Sequence, residues 1–202
     1  MIRIYLSKNK IDSIILEDFN KNVFDEIIKL VNESEFPEFN EVFELINTKE
    51  KLENLVLLDT YDKLVSFANK YESIIERIKS RIDIETFNEE EKKISDKFIK
   101  LYSNFSNRKA AYMVLKELNI RVCPYCNRMY TFSIKSKNGK TRPEFDHFIP
   151  KEKCPLLALS IYNLIPSCSI CNKGKSKKYP HDILYPYESS FDEQGIYFEV
   201  LY

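Results

Sequence analysis

Two Cys-x-x-Cys pairs, Cys123/Cys126 and Cys168/Cys171, force the chain to return on itself. Four thiolates in two such pairs match tetrahedral zinc, so they are expected to form a structural zinc site. The intervening segment, Asn127 to Ser167, is longer than the spacer of an ordinary zinc ribbon, and a folded unit is expected inside the clamp. The fifth cysteine, Cys154, has no obvious partner and reads as an ordinary thiol. An odd count also argues against a complete disulfide framework, and in a reducing compartment such pairs are expected to be metal ligands.

No run of about 18 apolar residues occurs, and the opening MIRIYLSKNKIDS lacks the apolar core of a secretion signal. The expectation is a soluble, cytoplasmic protein with no membrane partner. The whole chain is formally neutral, but the charge is unevenly spread. Residues 121–180 carry twelve Lys or Arg against Glu144, Asp146 and Glu152, a balance of +9, while residues 181–202 sum to −5. Phosphates would be drawn to the cysteine-bearing segment.

Before residue 120 the hydrophobic pattern is helical. Val23, Ile27, Leu30 and Val31 predict a helix over Phe19–Asn32, and Pro37 a turn followed by a short helix at Glu41–Ile46. A long periodic run covers Leu52–Ile82, broken near Asp59-Thr60. Further helices are expected over Asn88–Tyr102 and Ser106–Leu118, the latter with Ser106 as N-cap. The alternation of Ile2, Ile4 and Leu6 fits either an edge strand or a lead-in to the first helix.

After Cys126 the period changes to that of strands. Tyr130, Phe132 and Ile134 alternate, Asn138-Gly139 signals a hairpin turn, and Arg142–Ile149 and Ile161–Ile165 are strand candidates, with a helix opening near Cys171. Gly195–Tyr202 is again strand-like and has no stop signal. The fold expected is α+β, with a helical region over residues 1–120 and a cysteine-braced unit over 121–202. The helical region is a candidate for partner docking or dimerisation, and its faces do not decide the oligomeric state.

Asp146-His147, then Asn163 in Tyr-Asn-Leu-Ile-Pro, then Asn172 in Cys-Ser-Ile-Cys-Asn-Lys, together resemble the HNH endonucleases, in the variant whose ββα-metal motif is braced by four cysteines. His147 to Asn163 is 16 residues and Asn163 to Asn172 nine, spacings that suit the family's strand, loop, strand and helix. The resemblance covers about residues 120–180. It implies phosphodiester hydrolysis in DNA, leaving 5′-phosphate and 3′-hydroxyl ends, with His147 as general base. It also implies that Asp146 and Asn172 hold one divalent ion and that Asn163 pins the loop after His147. Many relatives carry histidine at the position of Asn172. An amide oxygen there favours Mg²⁺, or Mn²⁺, over softer metals.

Lys151, Lys173 and Lys175 are candidates for phosphate contacts, and His181 reads as structural. By analogy the setting is restriction or anti-phage defence, beside an ATPase or another specificity partner. Two other readings fit the same residues: a zinc-dependent nucleic-acid-binding module without cleavage, and an RNA-directed nuclease toxin.

Overall fold

The computed structural model describes residues 1–136, 139–175 and 183–196. Its fold is α+β. Seven helices precede the cysteines: α1 (Lys8–Asn22), α2 (Phe24–Asn32), α3 (Asn40–Phe43), α4 (Lys49–Val56), α5 (Tyr61–Lys79), α6 (Ile84–Asn107) and α7 (Lys109–Leu118). The hairpin β1 (Ile134–Ser136) and β2 (Gly139–Thr141) follows, then β3 (Glu144–His147), β4 (Leu164–Ser167) and α8 (Ser169–Lys175). Both sheets are antiparallel pairs, β1 with β2 and β3 with β4. The expected turn residue Asn138, the stretch Lys177–Lys178, His181 and the strand-like end after residue 196 lie outside the described residues.

Helix boundaries follow cap chemistry. Thr60 stands at the expected break with extended backbone, and its Oγ1 accepts from the Lys63 amide at 3.3 Å. Thr48 and Asp83 cap α4 and α6 in the same way. A polar side chain there satisfies an amide that the first helical turn leaves without a partner.

Two expectations needed correction. Ser106 is no N-cap: it lies in the last turn of α6, where its hydroxyl donates to the Ser103 carbonyl at 2.9 Å. The break falls at Arg108, whose extended backbone (ψ 164°) separates α6 from α7. The first helix also begins earlier than the periodicity suggested. Ile11, Ile15 and Phe19 form a buried stripe at fourfold spacing along α1, and a kink at Val23 (φ −132°) starts α2. The Ile2–Leu6 stretch is an extended lead-in, bonded through its amides to the Pro124 and Pro186 carbonyls at 2.8 and 2.7 Å.

One hydrophobic cluster crosses residue 120. It joins Phe19, Leu52, Leu64, Phe98 and Phe105 of the helices to Phe145, Phe148, Leu156, Leu157 and Ile165. Phe105 is fully buried, edge-on to Phe19 at 5.2 Å and stacked on Phe145 of β3 at 6.4 Å. From the other side Tyr185 and Tyr187 donate to the carbonyls of Tyr162 and Leu164 at 2.7 and 2.9 Å. Strand β3 is thus clamped between α6 and β4. Among the described residues no helix is long and apolar enough to cross a membrane.

Because Phe105 serves both sides of this core, Phe105→Ala is expected to lower the unfolding free energy by about 3–5 kcal/mol. Urea unfolding followed by helical circular dichroism and by tyrosine emission should show one shared transition. A loss under roughly 1 kcal/mol, or two separated transitions, would contradict this packing.

Candidate active site and thiolate cluster

The Sγ atoms of Cys123, Cys126, Cys168 and Cys171 all lie within 4.8 Å of one another. Two tight turns bring them there. In the first, the Asn127 amide bonds back to the Cys123 carbonyl at 2.8 Å, with Asn127 itself left-handed (φ 50°), a conformation asparagine tolerates better than most residues. The Cys123 amide then bonds Met129 at 2.7 Å and a bridge pairs Val122 with Tyr130. In the second, the chain leaves β4 and enters α8, and the Asn172 amide bonds the Cys168 carbonyl at 3.0 Å.

Burial raises the Cys123 and Cys171 thiols. It also acts on Cys126, but there the Arg128 and Met129 amides outweigh it and leave that thiol at about 7. Four thiols this close ionise together only around a cation. Zinc fits: Zn–S bonds of about 2.3 Å require sulfurs about 3.8 Å apart. Cys154 stands apart, fully buried, its thiol pushed up to about 12 by burial.

The second turn aims α8 at β3. Glu144 and Asp146, two apart on the strand, share one face, as do Asn172 and Lys175, three apart on the helix. They pair in register. The Asn172 amide donates to Glu144 Oε2 at 2.6 Å, and the Lys175 ammonium lies 3.2 Å from Asp146 Oδ1 and Oδ2. Tyr125 of the first cysteine turn donates to Asp146 Oδ2 at 2.6 Å. Burial pushes the Asp146 carboxyl up, against the opposing pull of Lys175 and Tyr125.

His147 is the last residue of β3, and this position lets it line the same cleft as Asp146 although the two alternate along the strand. Its Nε2 lies 3.2 Å from the Ala158 carbonyl. A carbonyl can only accept, so Nε2 carries the proton and Nδ1 is left with its lone pair. The Tyr102 ring from α6 packs across the imidazole at 4.5 Å, and burial lowers the His147 pKa to about 3. The cleft, about 300 Å³, is lined by Tyr102, Asp146, His147, Lys151, Glu152 and Asn172, among others.

Asn163 is fully buried and pins the loop after His147. Its Oδ1 accepts from the Ile149 amide at 2.7 Å, and its Nδ2 donates to the Ile149 and Leu157 carbonyls at 3.0 and 3.1 Å. Lys151 stands at the cleft and Lys173 is exposed on α8. Lys175 is placed differently from the sequence expectation. It is buried, and its ammonium turns inward to Asp146 and, at 2.7 Å, to the His147 carbonyl, so it is not presented to a phosphate. Glu144, Tyr125 and Tyr102 were not anticipated as parts of the site. The i, i+2 spacing of Glu144 and Asp146 was the one signal in the sequence that could have shown the first of them.

Residues 123–178 match the family model described as HNH endonuclease, and this segment is an HNH endonuclease domain. The chain is also similar to the Septu protein PtuB of Bacillus thuringiensis, 30% identical over 93 residues. That match takes in 46% of the present chain and 33% of the relative, so the chain spans about a third of the curated relative's length. No solved structure matches the chain.

Two outcomes are expected. Elemental analysis of the purified protein should find close to one zinc per chain, and Cys168→Ser should lose it together with thermal stability; a metal-free protein that is fully folded would contradict the assignment. The second concerns pH. The His147 pKa in the fold, about 3, lies below its ordinary 6.5, so the unfolded chain binds the extra proton first. Stability should fall as pH drops from about 6.5 towards 3, by several kcal/mol at most, and level off on either side. Comparing denaturation of wild type and His147→Asn across pH isolates this contribution from thiol protonation. Parallel curves would show that burial does not suppress the imidazolium.

Proposed function

We propose that the protein is a metal-dependent endonuclease that hydrolyses phosphodiester bonds in DNA. The observation that supports it most is the state of His147: a buried imidazole whose proton is held on Nε2 by Ala158, leaving the lone pair of Nδ1 unprotonated in a cleft shared with Asp146 and Asn172. In this reading Nδ1 takes the proton of the attacking water. Asp146 and Asn172 are the residues that would hold Mg²⁺ or Mn²⁺, a choice that hard oxygen donors favour. A divalent cation bound there supplies positive charge for the phosphate and for the departing 3′-oxygen.

The rest of the chain's part is positioning. Glu144, by accepting the Asn172 amide hydrogen, fixes which way that amide points and turns its carbonyl oxygen away from Glu144. Asn163 fixes the backbone directly after the base. Lys151 and Lys173 contact phosphates and contribute affinity without sequence choice. We assign the helical region, residues 1–120, to docking of an ATPase or other specificity partner, or of a second copy. The biological setting we favour is restriction or anti-phage defence, which the likeness to a Septu protein supports.

The test incubates zinc-loaded protein with plasmid and with RNA, in Mg²⁺, Mn²⁺ or EDTA, beside His147→Ala. Plasmid should be cut with either cation and spared in EDTA, and His147→Ala should be slower by about 10²-fold or more. Equal cutting by wild type and variant, or none with any metal, would overturn the hydrolase reading. Cleavage of RNA alone would move the substrate to RNA.

A further inference from the structure

The segment that runs from the first cysteine turn into β1 carries its large apolar side chains outward. Met129, Tyr130, Phe132 and Ile134 are 46, 74, 50 and 55% exposed. Alternation explains how: Thr131 between them is buried, its hydroxyl donating to the Ile120 carbonyl at 3.3 Å, so Tyr130 and Phe132 share the opposite face. Their rings lie parallel, 5.2 Å apart with an interplanar angle of 11°. Neither ring belongs to the core cluster. A contiguous exposed patch of this kind marks an interaction surface.

The surrounding charge narrows the partner. From residue 121 to residue 142 the sequence carries Arg121, Arg128, Lys135, Lys137, Lys140 and Arg142 and no carboxylate. Beside Phe132 a groove of about 310 Å³ borders the end of α7, lined by Lys116, Asn119, Arg121 and Ser133 among others. An apolar protein partner needs no such excess of cations, whereas a polyanion with planar bases uses both features. Exposed aromatic rings beside basic side chains are the combination by which proteins hold single strands. A duplex conceals base faces within its own stack, so rings presented flat and open suit unpaired bases.

We infer that Tyr130 and Phe132 form a stacking platform for unpaired bases of DNA, a second nucleic-acid contact outside the cleft. The inference rests on the nuclease reading and extends it. The platform is tied to the site through the cysteine turn: Val122 bridges Tyr130, and Cys123 Sγ accepts from the Cys168 amide at 3.4 Å where the chain enters α8. A strand stacked on this segment is therefore held in a fixed relation to α8 and the cleft.

The experiment measures fluorescence anisotropy of a short single-stranded oligodeoxynucleotide, with zinc-loaded full-length protein carrying His147→Ala and no added divalent ion. Tyr130→Ala with Phe132→Ala should weaken binding about tenfold or more. Exchanging the rings, Tyr130→Phe with Phe132→Tyr, should retain it. Tyr130→Leu with Phe132→Leu keeps the apolar bulk but removes the ring faces, so it should lose binding like the alanine pair and also covers the case in which that pair folds poorly. Unchanged affinity in the leucine pair overturns the platform. So does an equal loss on duplex DNA, and tighter binding of RNA of the same sequence overturns the assignment to DNA. Cleavage is read separately. If wild type cuts plasmid while the leucine pair binds normally, this inference alone fails; if wild type never cuts but the ring variants lose single-strand binding, the hydrolase reading alone fails.

Discussion

The arrangement at the cleft depends on four sulfur atoms being held within 4.8 Å of one another. As neutral thiols they attract one another weakly, and as thiolates they repel. A cation turns that repulsion into the closure of a long loop, between residues that are 45 apart at the Cys123 and Cys168 contact. Closing it places Tyr125 against Asp146 and sets the direction in which α8 leaves β4. The thiolate cluster decides which helix face meets which strand face.

That meeting of faces explains the charges. Glu144 and Asp146 look at Asn172 and Lys175, and each carboxylate takes one partner. A carboxylate at 172 would place three like charges together, and a histidine would bring a bulkier ring with its own titration. An amide donates to Glu144 while keeping an acceptor oxygen. Burying the Asp146–Lys175 pair costs desolvation on both sides, and such pairs add little net stability when the alternative is well-packed apolar groups. A buried ion pair retained beside a neutral imidazole is better explained by the need to keep a carboxylate in that place than by stability.

Much of this was legible in the sequence. The cysteine pairs, Asp146-His147, Asn163 and Asn172 are local motifs whose spacing carries their meaning, and the break at Thr60 is local cap chemistry. Packing between remote segments was not legible. Tyr102 reaches His147 from α6, and nothing in its neighbourhood distinguishes it from the other aromatic residues on helix faces. Lys175 reads in the sequence as a phosphate contact, but it lies three residues from Asn172 and so turns inward, while Lys173, two residues before it, stays exposed. Helix α1 was missed because the short alternation of its lead-in competes with the fourfold stripe that follows. Ser106 misled because a good capping residue sits just before the true break, which the backbone of Arg108 makes without a side-chain cap.

The helical half helps to build the cleft through contacts that no motif contains. Phe105 stacks on Phe145, one residue from Asp146, and Tyr102 donates to the Phe145 carbonyl at 3.3 Å while its ring covers His147. Tyr162 of the pinned loop donates to Asp12 of α1. One side of the imidazole is packed by a ring that belongs to α6, and β3 is packed by a second ring one turn further along. A displacement of α6 would therefore act on His147 and Phe145 together. If a partner docks on the helices, its effect has a direct physical route to the cleft: it need only move α6 against β3 to change the solvation of His147.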